Sequence, residues 1–366
     1  MSTPPAPARL SFDTPMKSAA IVTALLALLV ALSLGSRFFS DARDRARRAG
    51  ELQALADRQL RAGRFPEAWN ALSQAAATIE EGSSLSTLAG GGEPQRQAVR
   101  TAREDLAMVW LQRWQPPEGS PPVSIPETLA PVLTTGAAAA TGSRRADLLA
   151  HLGWEAAYRY SRDTSDTVPP EPEVFYRRAI EADPANPHAH AYWGHWLAVH
   201  GRLPEADTQF EAALASGRAR PHVRSVQLAA WRSQDSRAFD TAYIAAVAAM
   251  VRNREPVDAA VRDRVYTLYT HRFEPDARFA ELTAAVPAPA QIALVRMLFI
   301  DATDRRPDRT AAAYSWLARL QEAAGDSEGA LASWRSVLSS LPPEASDPLA
   351  DRARAAVAAA RPGLLR

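Results

Sequence analysis

Two nearly identical six-residue motifs, GRFPEA at residues 63–68 and GRLPEA at residues 201–206, stand between segments with helical periodicity. The glycine ends one helix, and the proline lies near the start of the next, where its missing N–H would have no helical partner in any case. Before the first motif, Leu52, Leu55 and Ala56 share one helix face by their i, i+3, i+4 spacing. A motif flanked by helices and used twice predicts a repeated helical hairpin.

The second motif lies in a 34-residue frame, 187–220, that resembles the tetratricopeptide repeat. The residues that carry the resemblance are Trp193, Gly194, Leu197, Gly201, Ala206, Phe210, Ala213 and Leu214. A C-terminal window, 311–344, supplies the corresponding positions with Tyr314, Leu317, Ala318, Gly325, Ala330, Trp334, Leu338 and Pro342. Two weaker windows are the segment 149–184, whose intervening loop is longer than the family turn, and the Gly63 hairpin, where Ala56 replaces the usual glycine.

The resemblance implies an all-α chain in which stacked hairpins form an α-solenoid. The composition agrees, because alanine is frequent and aromatic residues make up 7%.

The expected organisation is a polar tail at 1–17, a transmembrane helix at 18–36, a hairpin region with one repeat-like unit at 41–114, a proline-rich connector at 115–126, repeat-like hairpins at 127–220, degenerate helical repeats at 221–310 and a C-terminal repeat with an end helix at 311–366. The connector is the expected boundary inside the part that follows the membrane segment.

The membrane segment is predicted from Ser18 to Ser36, where no residue is charged. A helix of this length spans roughly 28 Å, close to the thickness of the hydrocarbon layer. A cleaved signal peptide is the alternative, because Lys17 precedes the run and small residues such as Ala31 and Ser33 suit a cleavage site. The run is longer than the usual apolar part of a signal peptide, which favours an uncleaved single-pass anchor.

Arginines are more numerous after the apolar segment than before it. Arg9 and Lys17 precede the segment, and five arginines follow it between residues 37 and 48. The richer side normally stays in the cytoplasm, so we expect the large domain there. The opposite orientation stays open, because Asp41 and Asp44 lie on the same flank and single-helix anchors often export the domain that follows them.

Composition and motifs exclude several classes of function. With 42 Lys+Arg against 41 Asp+Glu, the chain lacks the basic excess of a nucleic-acid-binding surface. The absence of cysteine rules out disulfides, thiolate metal sites and cysteine nucleophiles. No GxGxxG, Walker A, GxSxG or HExxH motif is present, so we expect no enzyme and no cofactor.

Four histidines fall close together, at His188, His190, His195 and His200. Their separations do not include the i, i+3 or i, i+4 spacing that two ligands on one helix need, so we expect no metal site. The resemblance instead implies that five residues contact a partner in the concave groove of the repeats: His188, Tyr192, His195, Trp316 and Arg319. For Trp316, packing in the core is the alternative.

These observations favour a membrane-anchored helical-repeat scaffold that mediates protein–protein interaction in the bacterial cytoplasmic membrane. It would be an accessory or assembly subunit of a larger bacterial membrane complex, with its anchor packed on an integral partner through Ala24, Ala27 and Ala31. The alternative is a subunit or regulator of an enzyme that acts on envelope polysaccharide or peptidoglycan. A structural subunit whose surface is covered by its neighbours is a third possibility.

Overall fold

The computed structural model describes residues 15–81, 93–114, 129–160, 171–302, 306–342 and 347–360. Every regular element within these ranges is helical, which confirms the all-α prediction for this part of the chain. The described residues form two compact units, the first ending at Ala189 and the second beginning at His190.

The described residues of the first unit form the helices α1 (Pro15–Arg61), α2 (Phe65–Glu80), α3 (Glu93–Trp114), α4 (Ala130–Ala139), α5 (Gly142–Tyr160) and α6 (Pro172–Ala182). Helix α1 has 47 residues and continues from the apolar segment to Arg61 without a break. Its C-terminal part packs on α2 and α3 through a buried cluster that includes Ala56, Leu72 and Leu106. The first hairpin is therefore the C-terminal part of α1 together with α2.

The described residues on the two sides of the expected boundary at 115–126 belong to the same compact unit. The connector itself lies outside the described residues, but α3 and α4 on its two sides pack closely. A Cβ atom added at Gly136 would lie only 2.7 Å from the Cβ of Ala107. Arg144 at the start of α5 also pairs with Glu104 of α3 at 2.5 Å and with Asp105 at 2.6 Å.

The boundary between the units falls inside α7 (Pro187–Val199). The second unit continues with α8 (Leu203–Ala215), α9 (Arg220–Ala230), α10 (Arg237–Arg252), α11 (Ala259–Thr267), α12 (Asp276–Ala285), α13 (Ala288–Val295), α14 (Pro307–Ala323), α15 (Ser327–Ser339) and α16 (Pro348–Ala360). Five-residue π-helical turns, Leu268–Arg272 and Arg296–Ile300, follow α11 and α13. The stretch expected to hold degenerate repeats is thus helical but irregular.

The turn of the repeated motif has the same backbone geometry in three hairpins. Gly63, Gly201 and Gly325 adopt φ values of +72°, +77° and +79°, the left-handed region that glycine enters without a steric penalty. In each turn the residue after the glycine donates its N–H to the carbonyl five residues earlier, at 2.9, 2.9 and 2.8 Å. The two six-residue motifs and the C-terminal window therefore form one type of helix–turn–helix connection.

Candidate interaction surfaces

The N-terminal part of α1 is an exposed apolar helix. Its large side chains are more than half exposed from Val22 onward, and Leu29 and Leu32 each reach 61%. The helix from Val22 to Arg61 is long and apolar enough to cross a membrane, and a signal sequence near an N-terminus has the same properties. Further along the same helix Ala49 is only 1% exposed, so the apolar part is continuous with a segment packed in the first unit.

A second apolar stretch has a different explanation. Helices α12 and α13, with the π-helical turn that follows, meet the same length and hydropathy criterion only as a pair, and the pair is bent by 107°. Leu282 and Leu294 in these helices are fully buried. Their apolar character therefore belongs to the core of the second unit.

The residues predicted to pack the anchor on a partner lie on the exposed part of α1. The side chains of Ala24 and Ala27 are exposed and one turn apart. The side chain of Ala31 lies outside the described residues. The described alanines are therefore accessible, and their role as a packing face stays a prediction.

The predicted groove residues of α7 are less accessible than expected. Tyr192 is fully buried, and its hydroxyl makes a hydrogen bond of 3.0 Å with Nε2 of His222. Its expected place on an open groove is therefore wrong. His195 lies in the second unit, where burial lowers its pKa to about 4, so the imidazole is neutral at pH 7. His188 belongs to the first unit, with its ring centroid 5.0 Å from that of His151.

Trp316 and Arg319 of α14 are also buried, with 1% and 6% exposure. The centroid of the Trp316 ring lies 5.3 Å from that of Tyr266 and 5.0 Å from that of Tyr269. These contacts agree with the alternative for this residue, packing in the core. An open groove position for Trp316 is wrong because α11 and its π-helical turn cover the ring.

Arg319 lies over the ring of Phe279 at 3.7 Å and donates to Asp276 at 3.0 Å. Burial, followed by repulsion from Arg352, lowers the pKa of this guanidinium below its ordinary value. Arg352 also pairs with Asp276, and these side chains line a cavity of about 570 Å³. Arg319 thus joins α14 to α12 through its ring contact and ion pairs, and its predicted partner contact is untested.

The histidine cluster of α7 makes contacts within the protein. Nδ1 of His190 lies 2.8 Å from Oε1 of Gln209, and Nδ1 of His200 lies 2.7 Å from the carbonyl oxygen of Trp196. Over the ranges that the structure describes, no three histidine or acidic side chains form a group suited to a metal ion.

A groove that the sequence did not point to follows α10. Two cavities of about 420 and 530 Å³ share the lining residues Asp207, Ala242 and Ala245 and therefore adjoin each other. The floor is the alanine face of α10, formed by Ala238, Ala242, Ala245 and Ala249. Helix α8 lines one side and Ala285 of α12 and Val286 after it line the other. The i, i+4, i+7, i+11 spacing of the alanines was the available sequence signal.

The α8 wall of this groove is acidic. Asp207 and Glu211 are one turn apart, and neither makes a side-chain hydrogen bond or ion pair within the part of the chain that the structure describes. Partial burial, followed by repulsion from Glu211, raises the pKa of Asp207. The two carboxylates line the same depression as Arg220, Arg224 and Arg252.

Basic residues also line the groove, and two of its arginines share one glutamate. Arg220 and Arg224 each bind Glu255 at 2.8 Å. Burial acts to raise the pKa of Glu255, but the hydrogen bonds from Arg224 and Arg220 outweigh it, so the pKa is lowered overall. At the opposite end Arg237 pairs with Glu281 at 2.7 Å.

Comparison with known proteins adds no relative: the chain matches no protein-family model and no curated protein sequence.

Proposed function

We propose that this protein is a membrane-anchored helical-repeat scaffold that binds another protein, as an accessory or assembly subunit of a bacterial membrane complex. The observation that carries the proposal is helix α1. Its exposed apolar part suits a bilayer, while its continuation packs Ala49 and Ala56 into the first unit. An unbroken helix of this kind would tether the folded units to a membrane.

The three hairpins support the helical-repeat part of the proposal. Each places a small residue seven positions before the turn glycine and a larger one sixteen positions after that small residue: Ala56 with Leu72, Gly194 with Phe210, and Ala318 with Trp334. All of these except Gly194 are buried hydrophobic side chains, and Gly194 itself lies against the Phe210 ring. This spacing is what the resemblance to tetratricopeptide repeats implies, and such repeats present extended surfaces to protein partners.

The N-terminal helix can be tested as an anchor. The full chain is expressed with a C-terminal tag, its membranes are washed at alkaline pH, and the intact mass of the protein is measured. We expect the unprocessed mass and retention in the membrane. A measured mass that corresponds to a chain beginning after Ala31 or Ser33 would identify a cleaved signal peptide and would refute the anchor.

A charge variant sharpens this test. Leu29→Arg with Leu32→Arg places two charges in the apolar segment, at a cost of about 3 kcal/mol each near the bilayer centre. We expect release of the protein from the membrane. Val109→Arg, on an exposed position of α3 in the first unit, is the matched control and should leave membrane retention unchanged.

The scaffold role is tested by mild detergent extraction, followed by mass spectrometry of the proteins that co-purify. We expect a stoichiometric integral-membrane partner. A monomer without partners would contradict the scaffold.

Because the chain has no cysteine, Ser143→Cys introduces a single exposed thiol for an impermeant maleimide. The arginine-rich flank predicts that intact cells are not labelled, as expected for a cytoplasmic domain.

A further inference from the structure

We infer that residues 37–48 of α1 form a rigid neck that holds the packed part of the first unit about 20 Å from the hydrocarbon layer of the membrane. This inference rests on the proposed membrane anchor and adds the spacing across which a membrane partner must reach the first unit. It is carried by three features: the length of α1 between its apolar and packed parts, the exposure of that length, and the charge on the membrane side of α2.

The length of the neck follows from the geometry of α1. The uncharged apolar run ends at Ser36, and Ala49 is the first fully buried residue in the described part of the helix. At about 1.5 Å per residue, Ala49 lies about 20 Å further along the helix axis than Ser36. The lipid headgroups take up about 5 to 8 Å of this distance. For a helix near the membrane normal, about 10 Å or more of the neck therefore lies beyond the headgroups.

The first unit does not cover the neck. Among the described side chains of residues 37–48 none is buried, and Phe39 is 70% exposed. No proline occurs between Pro15 and Pro66, and the neck continues a helix at both of its ends, so it bears no nucleation cost of its own. Arg47 also pairs with Asp44, one turn earlier, at 3.1 Å. An exposed helix that is fixed at both ends acts as a spacer of defined length, unlike a flexible linker.

The membrane side of α2 is acidic. Ala75 of α2 belongs to the same buried cluster as Ala49, and α2 runs antiparallel to α1 in the first hairpin. Glu80 and Glu81, at the end of α2, therefore lie on the bilayer side of Ala49, and both are exposed. The negative potential of an anionic membrane surface repels these carboxylates. Charge thus favours a first unit held away from the membrane over one that lies on it.

The neck determines how far a partner must reach. A membrane protein with only short loops would meet the neck itself. Contact with the packed helices of the first unit needs a segment that projects about 10 Å or more beyond the headgroups, which is the diameter of one helix. The partner that fits this spacing is an integral-membrane protein with a helix or a folded domain outside the bilayer.

The test measures how far two labels lie from the membrane in the full chain, reconstituted into nanodiscs that contain a lipid with an acceptor dye on its headgroup. Because the chain has no cysteine, Ser40→Cys in the neck and Gln74→Cys on α2 each provide a single exposed thiol for the donor dye. Gln74 adjoins Ala75, which packs beside Ala49. Energy transfer should therefore place the Gln74 label about 14 Å farther from the headgroups than the Ser40 label.

Insertions distinguish a rigid neck from a flexible one. Seven alanine-rich helical residues inserted after Ala42 add two turns, which should move the Gln74 label about 10 Å away from the membrane and nearly preserve the direction that the unit faces. Seven glycine and serine residues at the same place are the matched control. They add the same chain length without a helix, so the mean distance should increase by less and its spread should grow. Circular dichroism verifies that each variant is folded.

Two results would overturn the inference. Equal energy transfer from the Ser40 and Gln74 labels would show that the first unit lies on the membrane surface. Equal shifts from the two insertions would show that the neck is not a helix of fixed length. If either result comes from a protein that stays in the membrane at its unprocessed mass, the anchor stands and only the neck falls. A processed mass or release from the membrane would contradict the proposed function itself.

Discussion

The hairpins around Gly63 and Gly201 share a turn but fill the space between their helices differently. Both glycines have positive φ, and both turns use the same backbone hydrogen bonds. In the second hairpin, the ring of Phe210 lies against Gly194, where an added Cβ would approach it to 3.1 Å. In the first hairpin the corresponding residues are Ala56 and Leu72, which belong to one buried cluster.

The comparison separates two physical requirements. The turn needs a residue that accepts a left-handed backbone, and glycine meets that need in both hairpins. The helix contact needs a total volume, which a glycine and a phenylalanine or an alanine and a leucine can both supply. The C-terminal hairpin fills the corresponding helix contact with a third pair of side chains, Ala318 and Trp334.

The largest expected effect comes from removing the large member of each pair. Phe210→Ala should lower the free energy of unfolding by about 4 kcal/mol, and Leu72→Ala by about 3 kcal/mol, because both are buried and Phe210 also contacts Trp231. Urea unfolding followed by circular dichroism measures the loss, and peptide-level hydrogen exchange assigns it to each hairpin. Val199→Ala, at a partly exposed position of α7, should cost less than about 0.5 kcal/mol. Equal small losses at Phe210 and Leu72 would show that neither hairpin depends on this contact.

A smaller effect is expected at the turns. Gly63→Ala and Gly201→Ala should each cost about 1 to 2 kcal/mol, because alanine is strained at φ values above +70° and no other atoms crowd either glycine. The asparagine variants should cost less at both positions, since asparagine tolerates the left-handed region. Thermal unfolding followed by circular dichroism measures both series. An alanine penalty at one glycine only would show that the two turns are not equivalent.

Local features of this chain were predictable from sequence, whereas contacts between distant segments were not. The turn glycines and the helix pairs beside them follow from motif and periodicity. For Trp316 the sequence left a groove contact and core packing open, because its own helix gives no sign of Tyr269, which covers it from a segment without a repeat signature. Tyr192 is buried for a similar reason, by contact with His222, which is 30 residues away.

The connector and the groove are two further cases in which contacts between distant segments could not be predicted from the sequence. The prolines at 115–126 carry no information about whether α3 and α4 pack together, which the close approach of Gly136 and Ala107 decides. The alanine face of α10 is readable as a stripe in the sequence. That the stripe lies between α8 and α12, beside Asp207, depends on tertiary packing.

The smallest expected effect tests whether, at the contact between the two helices of a hairpin, a smaller residue on one helix compensates for a larger residue on the other. Gly194→Ala in the native chain should change the free energy of unfolding by less than about 0.5 kcal/mol, because a gain of about 1 kcal/mol in helix propensity is offset by crowding against the Phe210 ring. In a Phe210→Leu background the same substitution recreates the Ala56/Leu72 pair, relieves the crowding and should stabilise by about 1 kcal/mol. The double-mutant cycle, measured by urea unfolding, should therefore show a coupling of roughly 0.5 to 1 kcal/mol. Additive effects would mean that Gly194 is required by something other than the Phe210 ring. The sizes of the small and the large residue in each hairpin would then be independent of each other.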